Sequence, residues 1–243
     1  MLFAGITAAV FLTAILSGVL GMAGGMVLMA VLVLSMSVAN AMILHGVVQA
    51  TSNGSRAWFL RQHILWRILP TYLVGAGSAV GVFTALVLVP DPAMVLILVG
   101  LFPWAARLTK RLQGLDITQP FTTVVCGFLV TAAQLLAGAS GPLLDTFYVR
   151  APLTRQQIVA SKAITQTIGH VLKIVYYGAI VTVTVDLPLW LFVVCVLAAI
   201  AGTRIGTWLL MRWNDTAFTR VSQTIILTIA TVCVAQGVYQ LLS

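Results

Sequence analysis

The chain has 243 residues, of which 60% are hydrophobic and only 7% are charged. A soluble domain carries about 25% charged residues, so this composition lacks the polar surface that a water-soluble fold needs. The net charge of +8 does not indicate nucleic acid binding here. The basic residues follow the ends of hydrophobic segments, where they set membrane topology by the positive-inside rule.

Long, continuous apolar runs predict a polytopic protein of membrane-spanning helices. The first run lacks the basic start and the cleavage site of a signal peptide, so we expect it to be retained as a span. Two shorter apolar pieces, 26–38 and 143–149, are predicted either to cross the membrane or to re-enter it. In chain order, the predicted spans are 2–20, 40–60, 66–89, 93–108, 118–136, 156–180, 187–211 and 218–242.

The charges of the loops assign sides to these segments. Four loops are basic, whereas the loops near Asp91 and Asp186 are acidic or neutral. If the basic loops lie in the cytoplasm, each half of the chain has five segments and the two halves have opposite orientations. We therefore predict an all-α polytopic membrane protein with two inverted-topology repeats, residues 1–116 and 117–243, that contain broken or re-entrant short helices. The basic loops are 61–67, 107–111, 150–155 and 212–220.

Polar side chains interrupt one apolar segment of the first half at helical spacing. His45, Gln49, Asn53 and Arg56 are spaced 4, 4 and 3 residues apart. On a helix that turns about 100° per residue, they lie within about 80° of one another. They therefore share one narrow face, which we call the first seam.

The second half of the chain repeats this pattern. Its members are Lys162, Gln166, His170 and Lys173, and 162−45, 166−49, 170−53 and 173−56 all equal 117. We call them the second seam. If the two helices run antiparallel, Gln49, Asn53, Gln166 and His170 meet near the middle of the membrane. His45 and Lys173 then lie toward one side of the membrane, and Arg56 and Lys162 lie toward the other. Such a path suits an anion, whereas the alternative is that the seams only bond the helices together.

Glycine-rich stretches interrupt hydrophobic segments at corresponding places in both halves, at Gly24-Gly25 and at Ser140-Gly141-Pro142. The short helices that begin there would direct free backbone N–H groups and a positive helix end into the bundle. Broken helices of this kind bind anions in transporters. The alternative is that these glycines permit close packing between helices.

Carboxylates and metal ligands are nearly absent from the predicted spans. Asp145 is the one carboxylate expected at membrane depth, where it would pair with Lys162 or Arg150. The three cysteines are isolated in apolar runs, so we expect inert buried thiols, no metal site and no cofactor. They are Cys126, Cys195 and Cys233.

Two histidines lie on the seams. If transport is coupled to protons, His170 is the first candidate carrier and His45 the second, because histidine titrates near neutral pH. The alternative for each is a buried histidine that is satisfied by hydrogen bonds.

Several of these motifs together resemble the TauE/SafE sulfite-exporter family. The first is Gly-x-x-Gly-Met-Ala-Gly-Gly, which ends at Gly25, and the second is the stretch from His45 to Arg56. The others are Gly141-Pro-Leu-Leu and the stretch from Val159 to Lys173. The resemblance spans nearly the whole chain. It implies a multi-pass protein of the bacterial inner membrane, with an internal duplication, that moves sulfite, sulfonates or related organic anions.

We therefore predict a secondary transporter or permease for a small anion, with the lipid bilayer as its environment and no enzymatic activity. The two seams and the glycine breaks would form the site. An intramembrane enzyme is the first alternative, but no Asp or Glu is placed to orient a histidine base beside Ser52 or Ser161. A membrane scaffold that transports nothing is the second alternative.

Overall fold

The computed structural model describes residues 1–20, 23–109, 115–210 and 215–242, so the predicted basic loops 107–111 and 212–220 lie partly outside it. The described residues form ten α-helices joined by turns, with no β-strand among them, which confirms the predicted all-α polytopic fold. The helices are α1 (Leu2–Leu20), α2 (Ala23–Ser35), α3 (Val38–Phe59), α4 (Leu69–Leu86), α5 (Pro92–Thr109), α6 (Pro120–Ala137), α7 (Gly141–Thr146), α8 (Arg155–Val175), α9 (Leu189–Leu210) and α10 (Asp215–Leu242).

Among the described residues, four helices are long and apolar enough to cross a bilayer, namely α1, α4, α6 and α9. They pack in two pairs, α1 with α9 and α4 with α6, so each pair joins the two halves of the chain. Glycines allow this closeness, since a Cβ at Gly18 on α1 would lie only 2.7 Å from the Cα of Gly206 on α9. A third pair is formed by α5 and α10.

The fourth pair, α3 and α8, carries the two seams. These helices are more polar than the others because one face of each is lined with amides and basic groups. Both begin with a side-chain cap, since Ser37 accepts a hydrogen bond from the Asn40 N–H and Thr154 accepts one from the Gln157 N–H. The two cap residues are 154−37 = 117 residues apart, which is the spacing of the seams.

Two short helices start beside the middle of the seam helices. The carbonyl of Gly25, near the start of α2, lies 2.7 Å from His45 Nε2 on α3. In the second half, the Ser140 hydroxyl, just before α7, lies 3.2 Å from Gln166 Nε2 on α8. With 13 and 6 residues, α2 and α7 are about 20 Å and 9 Å long, so neither spans a hydrocarbon core of about 30 Å.

The ends of the two long helices that precede these breaks also correspond. Helix α1 ends at Leu20 and α6 ends at Ala137, and 137−20 is again 117. The order of long, short and seam helix is therefore the same in both halves. The opposite orientation of the halves across a membrane stays a prediction.

Candidate functional site

The two seams lie against each other in reverse order. Near one end of the pair, Lys173 Nζ lies 2.9 Å from His45 Nδ1. Near the other end, Arg56 and Lys162 line the same cavity. Helices α3 and α8 therefore run antiparallel, and the middle members of each seam meet between them.

A small cavity, here called the chamber, lies at this meeting point. Its volume is about 20 Å³. That space holds about one water molecule, so the chamber is narrow in this structure. It is lined by Ser17, Gly25, His45, Gln49, Asn53, Ala139, Ser140, Gly141, Gln166 and His170.

A chain of hydrogen bonds organises the second-half wall of the chamber. Gln134 on α6 donates from Nε2 to Gln166 Oε1 at 2.9 Å, and Gln166 donates from Nε2 to the Ser140 hydroxyl at 3.2 Å. Because the Ser140 oxygen accepts this bond, its own proton is free to donate to a bound group. Helix α7 has fewer than two turns, so its macrodipole is small and side chains must supply the donors.

The partners of His170 define its neutral tautomer. Gln134 Nε2 lies 3.4 Å from His170 Nε2, so that ring nitrogen is the acceptor and the proton is on Nδ1. This Nδ1 is buried and has no partner among the described residues. An unpaired buried donor is unfavourable, and a bound acceptor in the chamber would satisfy it.

The first-half wall offers another free donor. Asn53 donates from Nδ2 to the backbone carbonyl of Gln49 at 3.0 Å and approaches Gln49 Oε1 at 3.5 Å. These contacts orient the Gln49 amide with its oxygen toward Asn53, which leaves its N–H₂ group for the chamber. A Cβ at Gly25 would lie 3.2 Å from this amide, so glycine keeps the space beside it open.

A larger cavity, the vestibule, borders the chamber and is partly open to the surface of the protein. Its volume is about 190 Å³, and it shares Ser17, Asn53 and Gln166 with the chamber. Arg56 lines it and donates to the carbonyl of Ser17 at 3.4 Å. The vestibule lies beside the predicted basic loops, because its lining includes Leu60 at the end of α3.

One of the two vestibule cations is neutralised. Lys162 forms an ion pair with Asp145. Lys162 is one of the two partners, with Arg150, that the sequence predicts for Asp145. Among the described residues, no carboxylate pairs with Arg56, which is half-buried. The vestibule therefore keeps a net positive charge.

The opposite end of the chamber is closed. Lys173, Tyr176 and Tyr177 are fully buried there. Tyr176 donates its hydroxyl to the carbonyl of Leu88 at 2.8 Å, and Tyr177 donates to that of Leu135 at 2.7 Å. The structure is thus open at the Arg56 end and sealed at the Lys173 end.

The structure brings most of the twelve predicted site residues to these two cavities, but not all of them. Gly24 lines neither cavity, because it faces α1, where a Cβ would collide with the Thr13 carbonyl and Ser17. The position of Gly24 therefore fits close packing of α2 against α1. Lys173 also lines neither cavity, since its amine is fully buried behind His45, and it does not form part of a solvent-facing cationic rim.

Residues 6–233 match the family model described as Sulfite exporter TauE/SafE. The chain belongs to the TauE/SafE sulfite exporter family. It is therefore a multi-pass membrane protein of a transporter family. No curated protein and no solved structure matches the chain significantly.

Two polar residues at the site of this TauE/SafE protein were not predicted from the sequence. Ser17 lines the chamber, and Gln134 bonds Gln166 in the chamber wall. Each is a polar residue within an apolar span, without a helical pattern that would mark it. One signal could have found them, because 134−17 equals 117, the spacing of the seams. Gln134 is also the only carboxamide in α6.

Gly169 on α8 makes room for Gln134. A Cβ at Gly169 would collide with the Gln134 side chain, so we expect Gly169→Ala to lower the free energy of unfolding by about 1–3 kcal/mol through overpacking. The matched control is Gly54→Ala on α3, where a Cβ would meet Thr167 at 3.5 Å, an ordinary contact. Thermal unfolding in detergent measures both variants. Equal melting temperatures would contradict this account of Gly169.

Proposed function

We propose that the protein is a secondary transporter for a small anion such as sulfite, a sulfonate or a related organic anion, which binds in the chamber between α3 and α8. One observation carries this proposal. The buried, unpaired Nδ1 of His170 belongs to a cavity that Gln49 and Ser140 also line and that no described carboxylate lines.

The donors suit a group with several acceptor oxygens. They are the Nδ1–H of His170, the hydroxyl of Ser140 and the amide N–H₂ of Gln49. A sulfite or sulfonate presents three oxygens around one sulfur, so a single group can accept from more than one donor. Hydrogen bonds to charged groups contribute about 1.5–3 kcal/mol each, enough to offset part of the anion's dehydration.

The vestibule supports the same proposal through its charge. Arg56 has no carboxylate partner among the described residues, so it attracts anions toward the chamber and repels cations. Lys162 contributes less because Asp145 balances it. The chamber itself is too narrow in this structure for a four-atom anion, so binding requires the seam helices to separate.

We infer an alternating-access cycle from the two ends of the chamber. The end at Arg56 is open and the end at Lys173 is closed, so the structure corresponds to one of the two states that a transporter needs. Residues 1–116 and 117–243 would form inverted repeats that rock about the chamber. The common spacing of 117 residues in seams, caps and helix ends supports this inference.

The basic loops give the proposed orientation. If they lie in the cytoplasm of a bacterial inner membrane, the vestibule opens to the cytoplasm and both termini lie outside. The neighbouring residues Arg61, Arg67 and Arg155 agree with this orientation.

Anion flux into proteoliposomes tests the proposal. Labelled sulfite, methanesulfonate and acetate would be compared with choline, a cation of similar size, using wild type, Asn53→Ala and Gln166→Ala. We expect at least one anion to enter faster than choline and faster than into protein-free vesicles, and we expect both variants to slow that entry at least tenfold. If no anion enters faster, or if both variants match wild type, the proposal is wrong.

A further inference from the structure

Lys173 is a lysine in the interior of the protein, and no described residue gives it an acidic partner. Its side chain has an exposed fraction of 0%. The only described partners of its amine are His45 Nδ1 at 2.9 Å and the Gly138 carbonyl at 3.0 Å. An ammonium group buried in this way is strongly unfavourable unless a negative charge lies near it.

The two partners match a neutral amine. Both are acceptors, because the Nε2–H of His45 donates to the Gly25 carbonyl at 2.7 Å and so leaves Nδ1 unprotonated. A neutral amine has two N–H bonds, and the two acceptors satisfy both. An ammonium would carry a third N–H without a partner, whereas the neutral amine keeps a lone pair that can accept a proton.

His45 connects this amine with the chamber. Its Nδ1 faces Lys173, and the residue also lines the chamber. The ring of His170, one turn before Lys173 on α8, has its centroid 5.4 Å from that of His45 on α3. Tyr176 and Tyr177 lie one turn after Lys173. The remaining charged groups on the seam helices are Arg56 and Lys162, which line the vestibule, and Arg155 in the first turn of α8. Asp145 on α7 pairs with Lys162.

We propose that Lys173 binds the coupling proton of this transporter, so that one proton and one monovalent anion cross together. This inference rests on the proposed function, and it assigns to Lys173 the carrier role that the sequence suggested for His170 or His45. With the anion bound, the ammonium of Lys173 and the anion form a neutral pair. Without the anion, the neutral amine remains, so neither form leaves an isolated charge in the interior.

The proton leaves through the imidazole of His45. One N–H bond of the ammonium breaks, its electron pair stays on Nζ, and the proton forms a bond to His45 Nδ1. The Nε2–H bond of the ring then breaks, and that proton passes to water in the chamber. The products are the neutral amine, the Nδ1–H tautomer of His45 and a protonated water in the chamber, so charge and atoms balance.

Accumulation of labelled methanesulfonate in proteoliposomes tests this inference. This sulfonate stays singly charged at neutral pH, so it cannot cross as a neutral acid. A gradient of one pH unit is a tenfold ratio of protons, and coupled transport should concentrate the anion about tenfold on the alkaline side. Lys173→Met cannot hold the proton. We expect this variant still to carry the anion down its concentration gradient but not to concentrate it.

Thr123→Val is the control for loss of a buried polar contact. It removes a buried hydrogen bond to the carbonyl of Ile117 outside both cavities, and we expect it to lower stability but keep the pH-driven accumulation. The inference, but not the proposed function, would be overturned if wild type carried methanesulfonate down its concentration gradient without concentrating it. The same would follow if Lys173→Met concentrated the anion. Wild type that admits none of sulfite, methanesulfonate and acetate would overturn the proposed function and the inference with it; where another of these anions enters instead of methanesulfonate, the same accumulation is measured with that anion.

Discussion

Arg56→Gln is expected to reduce the apparent affinity for the transported anion about 30- to 100-fold. The guanidinium is half-buried and lines the vestibule. At an effective dielectric constant of about 20 and a separation of about 6–8 Å, its attraction for a monovalent anion is about 2–3 kcal/mol, which gives this range of affinity. The concentration dependence of labelled anion uptake in proteoliposomes measures it.

Arg61→Gln controls for the loss of one positive charge. Arg61 lies just beyond the end of α3, where its guanidinium stacks over the Trp58 ring at 4.9 Å in an exposed position. Salt screens exposed charges over about 8 Å at physiological ionic strength, so we expect Arg61→Gln to change the affinity less than twofold. Equal effects of the two variants would show that only the net charge of the protein matters.

Gln134→Leu is expected to weaken anion binding about 5- to 150-fold. The amide of Gln134 donates to Gln166 Oε1 and lies against His170 Nε2. Without this amide, Gln166 Oε1 and His170 Nε2 are buried acceptors that lose their donor, at a cost of about 1–3 kcal/mol. The side chains of Gln166 and His170 then also lose their fixed orientation toward the chamber. Gln134→Glu should weaken binding further, because its carboxylate would repel the anion at the same position.

Thr123→Val is the control on the same helix. The Thr123 hydroxyl is buried and donates to the carbonyl of Ile117 at 2.6 Å, three turns from Gln134. We expect its loss to lower the melting temperature without changing anion affinity. The role of Gln134 in the site would be refuted if Gln134→Leu and Thr123→Val lowered stability alike and left affinity unchanged.

The long helices could be predicted from the sequence because apolar runs are a strong local signal. The first predicted span, 2–20, has the same bounds as α1. The seams were equally predictable, since the spacing of 4, 4 and 3 residues is a local property of a helix. The α2 and α7 helices begin earlier than the predicted pieces 26–38 and 143–149 because glycine is tolerated in their first turns.

The contacts of the site depended on tertiary packing and could be predicted only in part. Sequence spacing places Gly24 and Gly25 together, yet one faces α1 and the other faces Gln49. It also places Lys173 at the end of a seam, but only the fold shows that Gly138 and His45 enclose its amine. Gln134 gave no periodic signal because it is the single amide of an otherwise apolar helix.

If the transported anion binds between the two seams, a bound selenite must lie in the chamber. Selenite is a close analogue of sulfite, and selenium can be located by its anomalous scattering in crystals of protein with ordinary methionine. We expect a selenium peak in the chamber, within hydrogen-bonding distance of Gln49, Ser140 and His170. Binding between the seams would be refuted if protein saturated with selenite showed selenium elsewhere, with the chamber unchanged.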